Sequence, residues 1–172
     1  MASTYATCDI QMLRGQSGEY VLKEFAVFEP TDVAQVFKAA TFAPPYAADF
    51  LPQKYVKQNS YGARHLHGPR WDDGDLSYED LPRTLYEMTR QYKVLYVKGE
   101  DKKKILQFFL PTKDVYNIEM LDCPKLRKLP LVRAPCANDA AAGCHSRHNC
   151  AVRNAKRIGL WLQSYLYTNV SQ

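Results

Sequence analysis

Long apolar runs are missing from this chain of 172 residues. The longest span only a few positions, far short of the roughly 20 that a membrane-crossing helix needs. The stretch from Met1 to Ile10 also lacks the basic start and apolar core of a secretory signal, so the expectation is a cytoplasmic or nuclear protein with no membrane partner. Five cysteines are an odd number for a disulfide framework and fit reduced thiols or metal ligands better. The eight glycines are scattered. They form neither a phosphate-cradling loop nor a Gly-x-Ser-x-Gly elbow, which argues against nucleotide hydrolysis of the Walker type, dinucleotide binding and the serine hydrolase class. Acidic side chains run out early: none follows Asp139.

That last absence exposes a charge asymmetry. Residues 123–172 carry 8 Lys and Arg against 1 acid, whereas residues 1–122 carry 15 against 17. A basic C-terminal third is suited to neutralising phosphates. The remaining composition, 46% hydrophobic and 24% charged, is that of an ordinary globular chain and excludes disorder and coiled coil. A single domain over 1–172 is expected.

The order of elements is legible from pattern. Tyr5 to Leu13 and Tyr20 to Phe28 flank the turn Gly15-Gln16-Ser17-Gly18 and read as a hairpin. Val33 to Phe42 is a third strand or a short helix. Residues 43–76 read as a long inserted loop, functional or locally structured, holding His65 and His67. Ser77 to Gln91 predicts a helix with Leu81, Leu85 and Met88 on one face. Lys93 to Val97 predicts a buried strand, Asp101 to Leu110 a helix whose Lys102 to Lys104 point to solvent, and Val115 to Leu121 a further strand. After a Cys- and His-rich segment over 123–149, Cys150 to Tyr167 predicts the last helix, with Ala151, Ala155, Ile158, Leu162 and Leu166 on one face. Three antiparallel strands followed by alternating helices and strands predict an α/β protein with a mixed sheet.

Soft donors cluster near the end. Cys136, Cys144, His145, His148 and Cys150 lie close together, with Cys123 upstream, and thiolates with imidazoles are what a tetrahedral zinc site uses. The preferred set is His67, Cys144, His148 and Cys150, with Cys136, His145, His65 and Cys123 as substitutes. One structural zinc per chain is expected, anchoring a segment with little apolar content of its own. Cys8 beside Asp9 reads as a buried strand residue, because an adjacent carboxylate raises a thiol's pKa.

The element order, with Asp9 in the first strand, resembles the RNase H-like fold of DEDDh-type 3′-to-5′ exonucleases. That resemblance implies four carboxylates holding two divalent ions, with a His as general base. Here the acid positions are degraded. Cys8-Asp9-Ile10-Gln11 puts Gln11 where the second acid belongs, Lys102 falls near the third, and Asn154 sits at the fourth. The chain also resembles the Maelstrom domain, an acid-less relative with a Glu-Cys-His-Cys zinc set. Cys144, His148 and Cys150 fall at that family's place, and His65 or His67 stands in for the Glu. Phrases such as Tyr96-Val97-Lys98-Gly99, Cys123-Pro124-x-Leu126 and His148-x-Cys150-Ala151 look like those of short proteins from arthropod genomes and from mobile or viral elements.

The resulting expectation is a catalytically silent, exonuclease-like module that binds single-stranded nucleic acid, RNA above all. Lys125, Arg127, Lys128, Arg133, Arg147, Arg153, Lys156 and Arg157 would contact phosphates, and aromatic side chains would supply stacking surfaces. The alternatives are a protein interaction module, such as a viral or mobile-element accessory protein, and a residual RNase using Asp9, Glu100 or Asp101, and a histidine.

Overall fold

The structure is a computed structural model and describes residues 4–30, 36–65, 68–133 and 150–170. β1 (Tyr5–Arg14) and β2 (Tyr20–Glu29) form the expected hairpin. Gly18 closes its turn at φ +79°, a left-handed conformation that costs glycine little. β3 (Val36–Thr41) pairs antiparallel with β2, so the third apolar run is a strand and not a helix.

The segment expected as one long loop instead contains a helix, α1 (Gln53–His65), behind a 3-10 turn over Ala48–Phe50. Its only buried residue is Asn59, so the apolar stripe by which a helix is usually recognised is absent. Asn59 anchors it in another way. The Asn59 Oδ1 accepts from the Arg14 N–H and its Nδ2 donates to the Arg14 carbonyl, both at 2.9 Å. Those backbone groups lie where β1 has outrun its parallel neighbour, and the amide covers the open edge.

A second anchor comes from β2. The ladder with β1 slips by one residue between Gln11 and Met12, leaving Lys23 as the extra residue of a β-bulge. Its ammonium is buried and donates to the carbonyls of Trp71, at 2.6 Å, and Asp73, at 2.5 Å. Gly74 follows at φ +129°, pressed so close to the Phe42 backbone that a Cβ would lie 2.1 Å from its carbonyl carbon.

The rest follows the expected alternation. A 3-10 turn over Tyr78–Asp80 leads into α2 (Leu81–Thr89), then β4 (Val94–Val97), α3 (Glu100–Phe109) and β5 (Asp114–Asn117). The second half of the last expected strand is a 3-10 turn, Ile118–Leu121, and another spans Leu126–Lys128 before α4 (Ala151–Val170). β4 lies parallel to β1, and β5 parallel to β4, giving one five-stranded sheet of order β3-β2-β1-β4-β5. The protein is mixed α/β.

Alternation along β1 divides the core. Ala6, Cys8 and Ile10 join Leu81 and Leu85 of α2 and Leu106 of α3 in one cluster. Each such leucine contributes about 2 kcal/mol of burial. Thr7 and Asp9 face the opposite side, where α4 packs across β1, β2 and β3. Small side chains permit that approach: Ala151 and Ala155 sit against Ala26 and Phe28. At Gly159 a Cβ would lie 2.3 Å from the Phe28 ring. Among the described residues no helix is long and apolar enough to cross a membrane.

Candidate functional site

Asp9 is the centre of a polar site on the α4 side of the sheet. β1 pairs with β4 only as far as Thr7, so Asp9 stands just beyond the point where the two strands part. Crevices at the carboxyl ends of strands are where open α/β sheets place their ligands. β4 ends at Val97, and Gly99, at φ +114°, turns the chain into α3. The Gly99 N–H donates to Asn117 Oδ1 at 3.0 Å, which fixes the turn. The first turn of α3 is thereby held over the end of β1.

That geometry brings Lys102 inward rather than to solvent, a correction to the reading of Lys102 to Lys104 as an exposed basic face. Its Nζ donates to Asp9 Oδ1 at 2.6 Å, with the carboxylate only 2% exposed. The other oxygen, Oδ2, accepts from Asn154 Nδ2 at 3.0 Å and Gln11 Nε2 at 3.1 Å. Gln11, Lys102 and Asn154 therefore meet around Asp9. Its charge is met by one ammonium and two amides. Asn154 is itself buried, and its Oδ1 has no hydrogen-bond partner among the described residues.

The remaining acids of the residual-nuclease reading, Glu100 and Asp101, are exposed on the first turn of α3. Asp101 is exposed and accepts from Tyr20 Oη at 3.2 Å, and the Arg14 guanidinium lies 3.8 Å from the centre of that tyrosine ring. A carboxylate not foreseen does lie on the Asp9 face. Glu24 is buried on β2, directly opposite Gln11 in the ladder. The signal was the pair Lys23-Glu24 interrupting an otherwise apolar strand: one residue of it is the bulge, the other a buried acid.

The zinc candidates are divided. His67, Cys136, Cys144, His145 and His148 lie outside the described residues. Cys150 caps α4, its carbonyl accepting from the Asn154 N–H, and its side chain is buried beside Ala26 and Phe28. Cys123 packs in a different cluster with Ile158 and Leu162. Ile158 lies two turns, about 12 Å, along the helix from Cys150, so these two thiols do not share one ion. Burial pushes the Cys123 thiol pKa up, with the Lys98 charge opposing. His65 is exposed at the end of α1, its ring 4.4 Å from that of Tyr61. Among the described residues no group of three or more His, Cys, Asp or Glu converges as a metal site.

The basic residues fall into two kinds. Arg157 is a clamp: its guanidinium donates to the carbonyls of Leu126, Leu129, at 2.8 Å, and Pro130, at 3.2 Å. Burial lowers its pKa. Lys156, its neighbour on α4, donates to the Arg133 carbonyl at 2.7 Å and fastens the far end of the same segment. The side chains of Lys125, Arg127, Lys128 and Arg133, carried by that segment, stay exposed. Arg153 is half-buried on α4, and Arg147 lies outside the described residues. The chain matches no family model, no curated protein and no solved structure with which it was compared.

Proposed function

We propose that this protein is a catalytically silent, RNase H-like module that binds single-stranded nucleic acid, RNA above all, on the basic ridge formed by residues 125–133 beside α4. The observation that carries this reading is the clamp. Arg157 and Lys156 spend their donors on backbone carbonyls, so four further cations are carried on a backbone tied to α4, in a segment, 125–133, that contains no acid. The sheet order and the place of Asp9 support the relation to the exonuclease fold. The Asp9–Lys102 pair supports silence: a divalent ion needs several charged oxygen ligands, and here an ammonium holds the carboxylate that would be first among them.

A structural zinc belongs to the same proposal. Cys144, His148 and Cys150, with His67, would hold it where the chain enters α4. The buried thiol of Cys150 fits a thiolate ligand in a water-poor site, and the donor set of sulfur and imidazole suits zinc. It would fix the ridge's flanking segment to the sheet.

The test is a titration of labelled single-stranded RNA followed by anisotropy at several salt concentrations. Four phosphate contacts predict a slope of log K against log salt of about −3. Reversing Lys125, Arg127 and Lys128 to Glu should abolish most of the affinity while leaving the circular dichroism spectrum unchanged. A flat titration at low salt would overturn the proposal and favour a protein partner.

A further inference from the structure

We infer that Trp161 and Tyr165 form a stacking platform for unpaired bases, so that the ridge holds the sugar-phosphate chain while the bases turn onto α4. This rests on the nucleic-acid reading above and extends it to the part of the ligand that is recognised.

The argument starts from helical spacing. Arg153, Arg157, Trp161 and Tyr165 follow one another at intervals of four and share one row of α4. The first two are cationic and the next two aromatic. Trp161 and Tyr165 are already stacked, ring centres 5.1 Å apart and planes 24° from parallel. Both are half-buried and pack against the apolar cluster of Ile158 and Leu162, so part of each ring is held and part is accessible. A base that stacks on such a pair meets rings whose orientation is already set, so little side-chain entropy is lost.

The platform is continuous with the ridge. Leu126, flanked by Lys125 and Arg127, packs against the same apolar cluster as Trp161 and Tyr165. Arg157 ties the two together, since it sits one turn before Trp161 and holds the Leu126 carbonyl. Cations beside paired rings are complementary to a ligand with phosphates on one side and π-faces on the other. A duplex offers only the phosphates, because its base faces are stacked on each other. The arrangement therefore selects single strands. It is tolerant of sequence, because every base has a face to stack.

Two tryptophans make this directly measurable. Trp71 is buried at the far hairpin end, its indole N–H donating to the Tyr46 carbonyl at 3.0 Å. Trp161 is thus the reporter of α4. Titrating the full chain with a uridine homopolymer of about 15 nucleotides should quench tryptophan emission in the wild type and in Trp71→Phe, and leave it unchanged in Trp161→Leu. Leucine keeps the apolar packing but has no ring. Trp161→Leu and Tyr165→Leu should each weaken binding roughly tenfold or more with the salt slope preserved, whereas the Lys125, Arg127 and Lys128 reversal flattens the slope. Tight binding without quenching, unaltered in Trp161→Leu, or equal affinity for the corresponding duplex, would overturn the platform and leave the nucleic-acid reading standing. No binding by the wild type would overturn both.

Discussion

Removing the ammonium from Asp9 would leave a carboxylate at 2% exposure with only the amides of Gln11 and Asn154 to compensate it. Uncompensated buried charge is costly, so Lys102→Met is expected to destabilise the fold by about 3 kcal/mol, read as a fall in the urea midpoint. Asp9→Asn in the same chain should recover most of that loss, because it removes the charge that needs a partner. Lys23 is the opposite case. It is a cation buried against two carbonyls, and desolvation lowers its pKa to about 8, with Asp73 and Asp72 partly opposing. Between that value and its ordinary 10.5 the unfolded chain binds the extra proton, so this group makes stability rise with pH across the window and withholds it below. The difference between wild-type and Lys23→Met pH profiles isolates the lysine, and a difference that stays flat from pH 7 to 10 would count against its burial as a charged group.

At the scale of elements, α4 shows how closeness rather than bulk joins a helix to a sheet. The Thr7 hydroxyl donates to the Ala155 carbonyl at 2.7 Å, and Gly159 passes directly over Phe28. Gly159→Ala should therefore destabilise by roughly 1–3 kcal/mol through overpacking, which outweighs the gain of up to about 1 kcal/mol in helix propensity and is read as a fall in the thermal unfolding midpoint. Periodicity revealed the elements it governs. The apolar face of α4 and the leucines of α2 repeat at helical spacing, and β1 and β2 are dense in strand formers, so those elements could be read. α1 could not, because its tie to β1 is a single amide pairing with backbone, a contact that leaves no pattern along the chain. The convergence of Gln11, Lys102 and Asn154 on Asp9 is not legible in the sequence, whose pattern sends Lys102 to solvent with Lys103 and Lys104. The inward turn of Lys102 depends on Gly99 and Asn117, which set the angle of α3 and carry no signal of charge.

For the whole molecule, the asymmetry of charge has a structural counterpart: the basic segment 125–133 is tied to α4 by Arg157 and Lys156. The proposed zinc would complete that attachment from the other end of the segment. Freshly purified protein should contain one zinc per chain by elemental analysis, and chelation should lower helical circular dichroism and weaken RNA binding together. Zinc-free protein that binds RNA with full affinity would separate the ridge from the metal and leave Cys150 a packing residue.

The hydroxyl of Thr7 and the carbonyl it binds on Ala155 are 148 residues apart in the chain. During synthesis the first strands leave the ribosome long before the helix that covers them exists. Phe28 and Ala26 must then wait, uncovered on one face of the hairpin, until α4 has been made. Burial of that face is therefore a long-range step, and a chain cut before Ala151 should expose it, read as binding of an apolar dye that the full chain lacks.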